Sequence, residues 1–378
     1  MDISSLFYSQ LRQNDITILQ LYHAEKVVQS DLDQILHDCK TEDFSMERRY
    51  LLSFLQSKYP DLTFPPSLRS EIDKVKHFIQ KKNVTLVMGL QEVARELNRK
   101  NIPFMLMKGI AMKFLFPGKL RNMYDVDFYV PEKFFDETIQ TAVDLGFTPQ
   151  DYFIEHSKDL TKGEVAIDVH KTMFKWRKNV QEMEAQIFAD APDTALFGIK
   201  VRMPLIEDLL LITMWNEQYN FIETTFIEMT ETKRNIFWLF DTARIIESYP
   251  QFDWERFFAN AAKIGLLNEV KLMLNVFDDL LPGRLPKHLS VELQQNQRDI
   301  DLKVEFSLVE EIFNSHWWEW NYINEKKSLQ DYITYSKVWM IHNFILGAKK
   351  IPFLFRPFAD ASIKYFVNHN NKRDIGVA

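Results

Sequence analysis

The sequence contains few of the residues that cross-link a fold or form its tight turns. Its 378 residues include a single cysteine, Cys39, and 10 glycines. One cysteine excludes an intramolecular disulfide and a zinc site built from several cysteines, and it is typical of a reducing cytoplasm. Few glycines argue against a loop-rich β fold, because such folds use glycine in their turns. A metal site in this chain would therefore be built mainly from oxygen ligands.

Long apolar runs and a strong excess of positive charge are also absent. No stretch approaches the ~18 uncharged apolar residues that span a membrane, and the residues from Met1 to Leu6 lack the features of a secretion signal. The formal net charge is -7, which argues against a surface coated with the basic residues that bind duplex nucleic acid. We expect a soluble, cytoplasmic protein that acts on small partners and binds no duplex nucleic acid.

Helical spacing extends over most of the chain. Apolar residues recur at intervals of three and four from about Asp31 to Asn101, and again after about Asp190. We predict an α+β fold with a small mixed β-sheet core at 102–190, embedded in an N-terminal helical region at 1–101 and a C-terminal helical region at 191–378. The helices predicted in the last region lie at 205–219, 234–247, 254–264, 267–281, 302–323 and 329–346.

Short apolar runs separated by turn signals indicate strands in the core. Lys162-Gly163 is expected to join the last two of them as an antiparallel pair, which makes the sheet mixed. The predicted elements are, in order, a strand at 102–107, a turn at Lys108-Gly109 with a helix to 116, a strand at 124–130, a helix at 132–145, and strands at 152–160 and 164–173.

Three aspartates interrupt the apolar strands of this core. Asp125 and Asp127 stand two residues apart, so in a strand both side chains lie on one face, about 7 Å apart. Asp168 interrupts the β-branched run 165–169 in the same way. A carboxylate buried in an apolar strand requires cations or hydrogen-bond donors. Three carboxylates on neighbouring strands can hold two Mg²⁺ ions about 4 Å apart, which makes nucleotidyl transfer the working hypothesis.

Four motifs follow one another in the core, and they are Lys108-Gly109, Arg121, Asp125-Val126-Asp127 and Asp168-Val169-His170. Their order resembles that of the polymerase-beta-like nucleotidyltransferase superfamily. Within it, the chain is similar to a nucleotidyltransferase family with a Lys-Gly turn, an arginine before Asp-x-Asp, and a later Asp-x-His. The wider superfamily has Gly followed by Gly or Ser at the first turn, where this chain has Lys-Gly. The similarity extends from about 102 to 172.

This resemblance implies a mechanism and a set of site residues. Asp125, Asp127 and Asp168 would be catalytic and would bind two Mg²⁺ ions, or Mn²⁺, beside a nucleoside triphosphate. Asp168 would also accept the proton of an acceptor hydroxyl on a small molecule or peptide. The residues implied to bind the nucleotide are Lys108, Gly109, Arg121 and His170.

Several of these residues also have a structural interpretation. Lys108 can be a solvated lysine at a helix start, Arg121 can form an ion pair that fixes the turn before the acids, and His170 can be a structural histidine. A lysine or arginine fixed where the three aspartates meet would contradict a metal site. The alternatives for the whole chain are a catalytically silent nucleotide- or peptide-binding protein of the same fold and a metal-dependent phosphohydrolase.

Glu217 and Asp241 lie on predicted helices that would border the cleft. Acids on helices are more often solvated or paired with a neighbour on the same helix, and for Asp241 such a neighbour is Arg244. We therefore expect both to be structural.

Overall fold

The computed structural model describes residues 13–38, 46–116, 121–150, 156–175, 177, 179–222 and 236–314. The N-terminal region is helical, as its spacing predicts. The predicted helix at 329–346 and the end of the one at 302–323 lie outside the described residues. The N-terminal helices are α1 (Gln13–His23), α2 (Gln29–Asp38), α3 (Met46–Lys58) and α4 (Pro66–Arg99).

The long helix α4 begins where the proline pair Pro65-Pro66 predicts. Pro66 lies in its first turn, where a missing N–H costs no helical hydrogen bond. Its apolar residues recur at helical intervals and form one buried face. The apolar side chains buried along it are Ile72, Val75, Ile79, Leu86, Leu90, Val93, Ala94 and Leu97.

The described strands form a seven-stranded mixed sheet in the order β3-β4-β5-β2-β1-β7-β6. The pairs β2–β5 and β1–β7 are parallel and the others antiparallel. The predictions of a mixed sheet and of an α+β fold are therefore confirmed. The strands are β1 (Met105–Leu106), β2 (Val126–Tyr129), β3 (Thr148–Pro149), β4 (Ser157–Lys162), β5 (Val165–His170), β6 (Asp193–Leu196) and β7 (Ile199–Arg202), and the helices between them are α5 (Lys108–Leu115), α6 (Phe135–Asp144) and α7 (Gln181–Asp190).

The hairpin of β6 and β7 is not predicted by the sequence analysis, which expects only helices after about residue 190. Phe197 and Gly198 form its turn with φ values of 52° and 75°, the backbone signs of a tight hairpin turn. Strand β7 then pairs with β1, so the sheet extends past residue 190. The domain limits given above stay a prediction.

Helices complete the described chain, largely where the spacing predicts them. Helix α12 begins just after Pro286, well before the predicted start near 302. None of the described helices combines the length and apolar character needed to cross a membrane. The helices are α8 (Ile206–Ile222), α9 (Phe237–Ser248), α10 (Trp254–Lys263), α11 (Leu267–Leu280) and α12 (Lys287–Asn314).

Helix α4 approaches β5 very closely at Gly89. A Cβ atom on Gly89 would lie 2.3 Å from Cγ1 of Val165 and 2.9 Å from its Cγ2. Val165 therefore faces α4, and the alternation of a strand turns Asp168 and His170 to the opposite face of the sheet. The helix thus covers the face of β5 that does not carry the polar residues.

We expect Gly89→Ala to lower the free energy of unfolding by about 2 kcal/mol, because overpacking against a β-branched side chain outweighs the helix propensity gained. Chemical denaturation would measure the loss. Val165→Ala removes both overlapping methyl groups, so the double variant should lose less stability than the sum of the two single variants. A Gly89→Ala protein as stable as the wild type would contradict this packing.

Candidate active site

The register of two parallel strands brings the predicted acids together. Asp127 on β2 is the pairing partner of Asp168 on β5, and Tyr129 is the partner of His170. Asp127, Asp168 and His170 are all buried, and one ligand atom from each lies within 4.8 Å of the others. Nε2 of His170 lies 3.0 Å from Oδ1 of Asp127 and 2.8 Å from Oδ2 of Asp168. We call these three residues the Asp-Asp-His group.

Asp125 precedes the first residue of β2 and is not a member of the Asp-Asp-His group. The negative charge of Asp127, followed by burial, raises the pKa of Asp125 to about 7. Lys108 and His170 act in the opposite direction without cancelling this effect. Asp125 therefore adds a carboxyl group beside the Asp-Asp-His group. The nearby positive charges stabilise the ionised form of Asp125 less than Asp127 and burial destabilise it.

Lys108 contacts the centre of the site. Its Nζ donates a hydrogen bond of 2.5 Å to Oδ1 of Asp127 and lies 3.3 Å from Nε2 of His170. Lys108 has a φ of 48° at the first position of α5, so the left-handed residue of the turn is the lysine and not Gly109. A lysine side chain thus lies where the acids meet. Such a lysine would contradict a metal site if its ammonium could not move away. The ammonium is held by non-covalent contacts on a flexible four-carbon stem.

The buried charges of the site stabilise one another. Burial alone would raise the pKa of Asp127, but Lys108 and His170 hold it below the ordinary value. The pKa of Asp168 is also held well below its usual range against the effect of burial, mainly by His170. For Lys108, burial acts to lower the pKa, yet Asp127 and Asp168 raise it. The site therefore contains an ammonium group and two carboxylates at neutral pH.

Asp159 is a further carboxyl group of the site that the sequence analysis does not select. It lies on β4 as the antiparallel partner of Asp168. Burial, the charge of Asp168 and a hydrogen bond to Asp168 raise the pKa of Asp159 to about 7. Two carboxyl groups form such a bond only when one of them carries a proton. The hairpin turn lies at Gly163-Glu164, one residue beyond the predicted Lys162-Gly163, and Lys162 pairs with Val165. Counting cross-strand pairs from the predicted turn would place Ser157 opposite Asp168, so this difference of one residue hides Asp159 from the sequence.

Arg121 lies in a buried ion pair that fixes the segment before β2. Its Nη2 is 2.8 Å and its Nε 3.1 Å from Oδ2 of Asp241, and its Nη1 donates to the Asn122 carbonyl at 2.6 Å. From the sequence, Asp241 is expected to pair with a neighbour on its own helix. In the structure it pairs with Arg121, which lies 120 positions away in the sequence. The structural interpretation of Arg121 thus describes its contacts, and its role as a phosphate clamp stays a prediction.

The same segment is fixed by two more residues. The amide of Asn83 on α4 donates to the Arg121 carbonyl at 2.6 Å, and the Asn122 N–H donates to the hydroxyl of Tyr50 on α3 at 2.8 Å. Burial raises the pKa of Tyr50 to about 12, so its hydroxyl stays neutral. Helices α3, α4 and α9 together position the residues that lead into Asp125.

The donor set of this site fits an oxygen-preferring divalent cation. Two carboxylates converge with one imidazole, and Asp125 lies beside them. Oδ1 of Asp168 is buried and accepts no hydrogen bond from an N–H or hydroxyl group of the described residues. Mg²⁺ prefers carboxylate oxygens, and Mn²⁺ accepts both oxygen and imidazole ligands.

The raised pKa of Asp125 predicts a pH-dependent gain in stability on its removal. Below about pH 3 the carboxyl group is protonated in folded and unfolded protein alike, whereas above about pH 7 the folded state must accommodate its charge. In the presence of EDTA we expect Asp125→Asn to be more stable than the wild type by about 2 kcal/mol at pH 8, and the difference to vanish at about pH 3. Asp61→Asn, at an exposed turn position, is the control. A gain that does not change with pH would contradict the assignment.

Comparison with known proteins places the chain in a family. Among curated proteins none matches it. It resembles the solved structure of ANT(2")-Ia in complex with adenylyl-2"-tobramycin at 16% identity and a TM-score of 0.32, over 48% of this chain and 97% of that one. It also resembles the lincomycin-bound lincosamide antibiotic adenylyltransferase LnuA, at 14% identity and a TM-score of 0.27, over 33% of this chain and 83% of that one.

A third solved structure of this kind is an antigenic nucleotidyltransferase-like protein from Paracoccidioides brasiliensis. Its identity is 16% and its TM-score 0.30, over 52% of this chain and 91% of that one. A family model described as "Uncharacterised nucleotidyltransferase" matches residues 48–282, more than half of the chain, and this confirms the resemblance found in the motifs. The protein therefore belongs to that nucleotidyltransferase family.

Proposed function

We propose that the protein is a Mg²⁺-dependent nucleotidyltransferase that moves a nucleoside monophosphate group from a nucleoside triphosphate to a hydroxyl or similar acceptor on a small molecule or peptide. The observation that carries this proposal is the convergence of Asp127, Asp168 and His170 within 4.8 Å. Family membership supports the reaction class, and the net charge of -7 supports a small acceptor rather than duplex nucleic acid.

In this proposal the carboxylates hold the divalent ions. Asp127 and Asp168 offer oxygens from adjacent strands, and Asp125 adds a third carboxylate from the residue before β2. His170 contacts one oxygen of Asp127 and one of Asp168, so it would keep both carboxylates oriented toward a common centre. Bound divalent ions would supply charge stabilisation and alignment for an in-line displacement.

The triphosphate is proposed to bind at the start of α5. Helix N-termini present free N–H groups and the positive end of the helix dipole, both of which favour phosphate oxygens. Lys108 and Gly109 form this N-terminus, and Lys108 adds a mobile positive charge. Arg121 would act from a fixed position, because Asp241 holds its guanidinium.

The proposed reaction exchanges one bond of the α-phosphorus for another. The acceptor oxygen bonds to the α-phosphorus while the bond from that phosphorus to the bridging oxygen breaks, and pyrophosphate leaves with the electron pair. The proton of the acceptor hydroxyl passes to a carboxylate of the site, for which the family resemblance implies Asp168.

The proposal is tested by incubating the protein with each of the four ribonucleoside triphosphates, labelled at the α-phosphate. With Mg²⁺ or Mn²⁺ and panels of hydroxyl-bearing small molecules and peptides, we expect pyrophosphate release together with transfer of the label to an acceptor. EDTA should abolish both signals.

Other outcomes of the same assay would favour the alternatives. Orthophosphate or free nucleoside monophosphate without a labelled acceptor would indicate a metal-dependent phosphohydrolase. A thermal shift with a nucleotide but no turnover with any acceptor would indicate a catalytically silent binding protein.

A further inference from the structure

The ammonium group of Lys108 occupies a cation position in the candidate active site. Its Nζ lies 2.5 Å from Oδ1 of Asp127 and 3.3 Å from Nε2 of His170. The side chains of Lys108 and Asp127 are only 18% and 8% exposed, so this ion pair is largely withdrawn from water. Lys108 thus binds Oδ1 of Asp127, one of the two oxygens through which that carboxylate could hold a divalent cation.

The backbone places the ammonium there. Lys108 follows the short strand β1 and has a φ of 48°, a left-handed conformation that a side-chain-bearing residue adopts at a cost. The preceding N–H, from Met107, donates to the carbonyl of Asp127 at 3.0 Å. The turn between β1 and α5 is therefore anchored to the strand residue whose carboxylate the lysine binds.

The ammonium also lies among more carboxyl groups than it can neutralise alone. Buried carboxylates without a cation are strongly unfavourable, so a site of this composition must contain positive charge at all times. Lys108 supplies part of that charge from within the chain. Asp125, Asp127 and Asp168 act on its charge, and Asp159 adds a fourth carboxyl group beside Asp168.

We infer that Lys108 is an exchangeable internal cation that competes with the divalent ion for Asp127 and transfers to the phosphate oxygens when the nucleotide binds. This inference rests on the proposed function. Mg²⁺ binds carboxylate oxygens at about 2.0–2.1 Å, so the ammonium and the ion cannot share this face of Asp127. A lysine stem is long and flexible enough for Nζ to move from a carboxylate to a nearby phosphate.

Two consequences distinguish this role from that of an ordinary ion pair. A divalent ion alone should bind weakly, because it must displace an ammonium whose hydrogen-bonded carboxylate, among the described residues, is that of Asp127 alone. The ion and the nucleotide should bind cooperatively, because phosphate oxygens receive the displaced ammonium. Lys108 would then set the order of binding at this site.

Calorimetric titration with MnCl₂ tests this inference on the full-length protein without nucleotide. Removing a positive charge beside the metal ligands should favour the metal complex, as it shifts a neighbouring pKa by about 1 unit or more. We expect Lys108→Met to bind Mn²⁺ at least about 10-fold more tightly than the wild type. Lys113→Met is the control, because it removes a lysine from the same helix. The pKa of Lys113 is lowered by burial and by the charge of Arg244. This variant should bind Mn²⁺ like the wild type.

A second titration measures how strongly Mn²⁺ binding and nucleotide binding depend on each other. In the wild type, a non-hydrolysable triphosphate analogue should strengthen Mn²⁺ binding more than it does in Lys108→Met, after correction for Mn²⁺ bound by the free analogue. If Lys108→Met proves unfolded without metal, Lys108→Gln keeps a polar side chain of similar length and replaces it in both titrations.

Equal or weaker Mn²⁺ binding by the Lys108 variants would overturn the inference. If the wild type still binds Mn²⁺ and Asp127→Asn does not, that result leaves the proposed metal site intact. Absence of Mn²⁺ binding in the wild type with the analogue present would instead remove the proposed function itself.

Discussion

Replacing Asp127 with asparagine is expected to lower nucleotidyl transfer at least about 1,000-fold while the protein stays folded, since such losses follow removal of a group that stabilises the charge of a transition state. Asp127 lies at the centre of the candidate active site. It contacts Lys108 and His170 directly and is the strand partner of Asp168. Asparagine keeps the shape of the side chain but removes the charge that both a metal ion and the ammonium require.

Release of pyrophosphate from the preferred triphosphate measures this loss, and circular dichroism checks the fold. Asp61→Asn makes the same chemical change at an exposed turn position and should retain wild-type turnover. If Asp127→Asn turned over the triphosphate at a rate near that of the wild type, the acids of the Asp-Asp-His group would not perform the reaction.

Replacing Asp241 with alanine is expected to lower the free energy of unfolding by about 3 kcal/mol, because breaking a buried pair leaves the guanidinium of Arg121 without its charged partner. Asp241 is 1% exposed, and the Arg121 side chain is 18% exposed. The change should also loosen Asn122 and the segment leading into Asp125, so activity should fall even at temperatures where the variant is folded.

Urea denaturation of three proteins separates these effects. Arg121→Met/Asp241→Leu replaces the pair with apolar groups and should recover part of the stability lost in Asp241→Ala. Glu96→Ala breaks the exposed pair of Glu96 with Arg99 and should change stability far less. A neutral effect of Asp241→Ala would contradict the role of this pair as an anchor of the site.

Local patterns predicted the parts of the site that lie within single strands. Asp-x-Asp and Asp-x-His each place two polar side chains on one strand face, and apolar neighbours indicate that these strands are buried. The Lys108-Gly109 turn between β1 and α5 is likewise a local feature. Sequence spacing therefore predicted a mixed sheet with acids at its centre.

Contacts between distant segments could not be derived in this way. The bond between Arg121 and Asp241 depends on how α9 packs against the segment before β2, which no local pattern encodes. The position of the Lys108 ammonium depends on side-chain torsions and on charge balance. Asp159 is an intermediate case, because the hairpin turn fixes its register, but a turn predicted one residue too early places Ser157 instead of Asp159 opposite Asp168.

The hairpin of β6 and β7 shows a different limit. Its strands are only four residues long, and helical patterns on both sides dominate the spacing. Its signal was the turn at Phe197-Gly198, where glycine accommodates a positive φ that few other residues adopt.

The most direct test of the metal-site account is an anomalous scattering map of a crystal grown with Mn²⁺ and a non-hydrolysable triphosphate. We expect a Mn²⁺ peak within about 2.5 Å of carboxylate oxygens of Asp127 and Asp168, with Nζ of Lys108 moved onto the phosphates. A map without a peak beside these aspartates, in which Lys108 still binds Asp127 and the nucleotide lies elsewhere, would contradict it.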